Sequence, residues 1–169
     1  MSEANNLNRI DKIYWHLVSA RQYKEAFWIL VGYFSASQNS WLKEVDMPAY
    51  YSAGLAAEHF LKCYLDLHEI EYPNKSMKGH NLSHLLLLGG EGMNSFFGLT
   101  KQDLEDIEML NKRYHNDTHY GQSDLRYISR PGKRVSPNPD FFHKLLTKFE
   151  NKLNVTLIAK FGKTPDPQD

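Results

Sequence analysis

PAYYSAGLAAEHFLKCYLDLHE, residues Pro48 to Glu69, is the stretch whose pattern decides the fold. Tyr50, Ala53, Ala57, Phe60, Tyr64 and Leu67 recur at three- and four-residue spacing, and Tyr51, Leu55, Leu61 and Leu65 form a second apolar stripe beside them. Projected at about 100° per residue, Ser52, Glu58, His59, Lys62 and Asp66 share roughly a third of the circumference. A helix apolar on most of its sides needs several neighbours to cover it. The stretch is therefore expected to be the central helix of a bundle.

Upstream, Leu7, Ile10, Ile13, Tyr14, Leu17 and Val18 predict an amphipathic helix to Ala20. Tyr23, Ala26, Phe27, Leu30, Val31 and Phe34 continue the period to about Ala36, which leaves open whether these are two helices or one kinked helix. Pro48 suits the first turn of the central helix, with Asp46 near its positive end. Downstream, Tyr72-Pro73-Asn74 ends that helix. A short helix is expected from about Asn81 through Leu88, stopped by Gly89-Gly90, with a loop from Glu91 to Leu99. Thr100 and Asp103 approximate a capping box for a helix from Lys101 to about Tyr114, with Leu104, Ile107, Met109 and Leu110 inward. Between Asn116 and Pro139 no period holds, apart from an extended piece at Leu125 to Ile128; long irregular stretches of this kind tend to be functional. Asp140 caps a last helix whose buried face is Phe141, Phe142, Leu145, Leu146, Phe149, Leu153, Leu157 and Ile158. The sum is an all-α, up-and-down helical bundle of five or six helices, one domain over residues 1–161, with residues 162–169 as a disordered tail.

Twenty basic and twenty acidic residues cancel, so any basic patch must be local. Cys63, the only cysteine, lies within the central helix, which excludes a disulfide inside the chain and makes the thiol a small core residue. No stretch reaches the roughly 18 apolar residues of a membrane helix, so a soluble cytoplasmic protein with no membrane partner is expected. Trp15, Phe27, Trp28, Tyr33 and Phe34 are expected in the core or between helices, and aromatics on several sides of the first helices suit a homodimer surface.

YYSAGLAAEHFLKCYL at Tyr50 to Leu65, a proline-bearing loop, and GHNLSHLL at Gly79 to Leu86 together resemble the HEPN superfamily of small helical domains. Glu58 and Lys62 match that family's helix positions, and Gly79, His80 and Leu82 its loop-to-helix signature. The resemblance extends from about Tyr50 to Phe149 and implies association with RNA or nucleotides. Read by themselves, Glu58 and Lys62 are a surface pair worth a few tenths of a kcal/mol, and His80 and Asn81 cap a helix.

The family's ribonuclease members carry an arginine followed four to six residues later by a histidine, and Arg113 and His119 fit that spacing. The resemblance implies a metal-independent endoribonuclease of toxin or defence type, working as a dimer. A histidine can exchange a proton with the ribose 2′-hydroxyl or the leaving oxygen while a guanidinium braces the phosphate. Glu58, His59 and Lys62 would line the same cleft. Other family members carry a tyrosine-arginine-tyrosine-type loop before the last helix. Leu125-Arg126-Tyr127 resembles it, and with Arg130, Lys133 and Arg134 implies phosphate binding. The alternative is a non-catalytic adaptor or dimerisation module that binds a partner protein, such as an antitoxin.

His80/His84 and His115/His119 are each four apart, a metal-ligand spacing on a helix, but no HExxH occurs and neighbouring carboxylates repeat no ligand pattern. No metal site and no cofactor are expected.

Overall fold

The computed structural model describes residues 3–36, 46–73, 77–114 and 139–162. The loop beyond Asn116 as far as Asn138, with its extended piece at Leu125 to Ile128, and the tail past Gly162 lie outside them. Five α-helices make up the described chain: α1 (Glu3–Ala36), α2 (Asp46–Leu67), α3 (Leu82–Phe97), α4 (Lys101–Tyr114) and α5 (Pro139–Phe161), with a 3₁₀ turn at Met77–His80. The fold is the expected all-α bundle, and α2 touches each of the other four helices. No helix among the described residues is long and apolar enough to cross a membrane.

Ala49, Ala53, Ala56 and Ala57 on α2 are buried together with Phe60, Leu61, Cys63 and Leu65. Small side chains in its first turns let neighbours approach closely, and the larger ones further on fill the core. α1 runs antiparallel to α2: Phe27 meets Tyr50, Tyr23 stacks on His59, Ile13 O lies 3.6 Å from Cys63 Sγ, and Lys12 reaches Asp66. α5 lies parallel to α2, pairing Tyr50 with Phe142 and Phe60 with Phe149. Burial pushes the Cys63 thiol well above its ordinary pKa, as expected of a core thiol.

α1 is continuous. Ile13, Leu17, Ala20 and Phe27 bury one stripe across the point where the sequence left a break open, with no proline to interrupt it. α2 ends in a Schellman turn: Ile70 N–H donates to Leu65 O and Glu69 N–H to Asp66 O, with Glu69 at φ 62°. Arg9 clamps that end, donating from Nε to Asp66 O and from Nη2 to Leu67 O while pairing with Glu69.

α3 corrects the expected boundary. Gly90 leaves helical geometry for one residue (φ 56°, ψ −150°), yet the helix resumes to Phe97 because Met93 and Phe97 bury against the core. Gly98, at φ 61°, supplies the left-handed cap expected of Gly89-Gly90. Gly90 has open space where a Cβ would lie, so only its backbone demands glycine. Gly90→Ala is expected to lower stability by about 1–3 kcal/mol, read as a reduced urea midpoint; an unchanged midpoint would show that the kink relaxes freely.

The capping box of α4 is present: Asp103 N–H donates to Thr100 Oγ1 and Thr100 N–H to Asp103 Oδ2. Ile107 and Leu110 are buried, whereas Leu104 and Met109 are exposed, as are Phe141 and Ile158 on α5. Trp15 and Trp28 also lie largely at the surface, Trp28 stacked on His143 and Trp15 edge-on to His16 and His59, while Phe27 is fully buried.

Candidate functional site

From Glu58 onward the polar arc of α2 does not face solvent, whereas Ser52 in its first turns is part-exposed. Glu58, His59, Lys62 and Asp66 are each no more than 8% exposed, covered by α1 and by the segment that follows α2. The expected surface pair is thus a buried ion pair, with Lys62 Nζ 2.6 Å from Glu58 Oε1. Burial removes water from both charges, so each depends on the other far more than a solvated pair would.

Glu58 joins two separate pieces of sequence. Its Oε1 also lies 3.0 Å from His80 Nδ1, at the end of the 3₁₀ turn. The next residue, Asn81, adopts extended geometry and caps α3, accepting from His84 N–H at 2.9 Å. This break places His80 and His84 on different elements, so they do not share a helix face as their spacing suggested. Asn111 of α4 steadies the same turn: its Oδ1 accepts from Leu82 N–H at 2.8 Å, and its Nδ2 lies 3.3 Å from Asn81 Oδ1.

Beside the ion pair runs a directed hydrogen-bond chain. His59 Nδ1 lies 2.8 Å from His16 Nδ1, His16 Nε2 lies 2.9 Å from the Tyr72 hydroxyl, and that hydroxyl lies 3.0 Å from Asp66 Oδ2. Lys12 Nζ donates to Asp66 Oδ1 at 2.7 Å. A carboxylate only accepts, so Tyr72 donates its single proton to Asp66 and must accept from His16 Nε2–H. His16 Nδ1 is then the bare nitrogen and accepts from His59 Nδ1–H. The separation of the two Nδ1 atoms is also too short for a metal ion between them, since two bonds of about 2.0–2.1 Å at a tetrahedral angle span more. Among the described residues no three His, Cys, Asp or Glu side chains are placed to hold a metal.

Both imidazoles are held neutral. Burial, then the neighbouring His59, Lys62 and Lys12, lowers the His16 pKa to about 2. Burial lowers that of His59 to about 4 against the opposing pull of Glu58, with Lys62 and His80 adding to the fall. Burial and the Asp66 carboxylate raise the Tyr72 phenol, which keeps its proton and hence the direction of the chain.

No family model, curated protein or solved structure matches the chain. The geometry therefore stands by itself. It gathers Glu58, His59 and Lys62 into one buried cluster rather than along an open wall. Arg113 falls in the last turn of α4; His119, Arg126, Arg130, Lys133 and Arg134 lie outside the described residues. Arg9, Lys12, His16 and Tyr72 escaped the sequence reading. The signal for three of them was the spacing of Arg9, Lys12 and His16, a polar stripe at helical period beside the apolar stripe of α1.

Proposed function

We propose that this chain is a HEPN-like domain that interacts with RNA or nucleotides and cleaves RNA without a metal ion, through Arg113 and His119 of paired copies. The observation that carries this reading is Glu58, which binds Lys62 and His80 at once and so ties the helix half of the HEPN-like pattern to its loop half. A pattern arising by chance gives no reason for its two halves to meet on one buried carboxylate. Arg130, Lys133, Arg134 and Arg126 supply phosphate contacts in this reading.

With a chelator present, wild-type protein at micromolar concentration is expected to cleave single-stranded RNA, and Arg113→Ala or His119→Ala to slow cleavage by about 100-fold or more. RNA left intact by the wild type removes catalysis from the reading. A second reading, a partner-binding module, draws on Trp15 and Ile29, 59% and 62% exposed on one side of α1. It predicts no thermal shift with RNA or nucleotides.

A further inference from the structure

We propose that the first half of α1 is a flap that acid releases from α2, with the His16–His59 pair as its sensor. The two halves of α1 are held by different chemistry. Before Ala20, Arg9 and Lys12 reach the end of α2, and His16 bonds both His59 and Tyr72. After Ala20, Phe27 packs on Tyr50, Arg21 reaches Glu150 at 3.0 Å and Asn154 at 2.8 Å, and Lys24 pairs with Glu150. His143 stacks on Trp28 in that second half, and an indole face accepts a cation.

The pair limits how many protons the closed flap can hold. An imidazolium carries a proton on both ring nitrogens, so two of them would set N–H against N–H across the 2.8 Å between His16 Nδ1 and His59 Nδ1. In water each ring takes its own proton. The surroundings resist even the first one, because Lys12 on α1 and Lys62 on α2 face the pair with like charge, as does a protonated His80 on the 3₁₀ turn. Both carboxylates nearby are already occupied. Asp66 Oδ2 lies 3.4 Å from His16 Nε2 but accepts from Tyr72, while Lys12 holds its other oxygen, and Glu58 is taken by Lys62 and His80. Trp15 and Tyr23 pack on His59 with uncharged rings.

Release uncovers a reporter that the chain already carries. Cys63, the only cysteine, is fully buried, with Sγ 3.6 Å from Ile13 O on the flap.

The test labels Cys63 in the full chain with dithiodipyridine, a disulfide reagent, at a series of pH values. Dividing each rate by that of the urea-unfolded chain at the same pH gives an opening constant, to be compared with the unfolding constant from a urea titration. The opening constant is expected to exceed the unfolding constant by about 10-fold or more, and to rise by about 100-fold or more from pH 7 to pH 5. Below pH 6 its slope should approach about two decades per pH unit, one for each imidazole. His59→Asn, whose amide donates to a neutral His16 and turns its oxygen toward a protonated one, should cut the slope to about one decade. His16→Asn, whose oxygen takes the place of Nδ1, should do the same. An opening constant equal to the unfolding constant at pH 5 means that acid acts on the whole molecule, and overturns the flap. A flat slope, or one that both asparagine variants leave unchanged, overturns the pair as its sensor.

Discussion

Acidification from pH 7.5 to pH 5 is expected to remove about 4 kcal/mol from the folding free energy. His16 and His59 have folded pKa values of about 2 and about 4, below the ordinary 6.5 they recover on unfolding. The unfolded chain therefore binds more protons over this interval, and stability falls as pH falls. The loss begins as pH drops through 6.5; it ends for His59 near pH 4 and for His16 only near pH 2. Each imidazole contributes about 1.4 kcal/mol per pH unit inside its window, so the pair gives a slope near 2.7. Lys12, Lys62 and His80 oppose protonation of the pair, while Glu58 and Asp66 favour it. His68 and His143 are also held below the ordinary value, mainly by burial, and add smaller effects of the same sign from more exposed positions. Urea midpoints measured against pH would read the slope directly. His59→Asn, whose amide nitrogen takes the place of Nδ1 and can still donate to His16 Nδ1, should roughly halve it. A stability that is flat between pH 7 and pH 5 would show that the imidazoles are not desolvated.

The second large effect concerns Glu58. Glu58→Leu is expected to cost about 3–5 kcal/mol, because it leaves the Lys62 ammonium buried without its carboxylate. Glu58→Leu combined with Lys62→Met should recover most of that loss, since two apolar side chains of similar volume fill the space without an uncompensated charge. Chemical denaturation of the single and double variants gives the coupling energy. A single substitution costing only a few tenths of a kcal/mol would return the pair to the surface role its spacing first suggested.

That misplacement shows where sequence reading succeeds and where it fails. The apolar stripes of α1, α2 and α5 were legible because burial against a core leaves a period, and the Thr100–Asp103 box and Asn81 cap were legible because they are local. A helical projection of α2, however, shows charges on one arc without showing what lies opposite. Here the opposite surface is itself polar, carrying Lys12 and His16, and the two stripes pair with each other across the α1–α2 contact. Gly89-Gly90 misled for a related reason: local propensity favours a stop, but the burial of Met93 and Phe97 further on outweighs one non-helical residue. Exposed Leu104 and Met109 show the opposite error, in which periodic apolar residues exceed what the core can cover. The candidate site was legible only as a set of residue types. Its direction of proton donation needed the distances among His59, His16, Tyr72 and Asp66.

The clamp of Arg9 on the end of α2 bears on how the molecule comes apart. Arg9 holds Asp66 O and Leu67 O, Asp66 receives Lys12 and Tyr72, and Tyr72 accepts from His16. None of these groups can be released alone without stranding another in a buried place. The first half of α1, the second half of α2 and the segment around Tyr72 should therefore open as one cooperative unit in hydrogen exchange, with a shared opening free energy rather than fraying residue by residue from the N-terminal side.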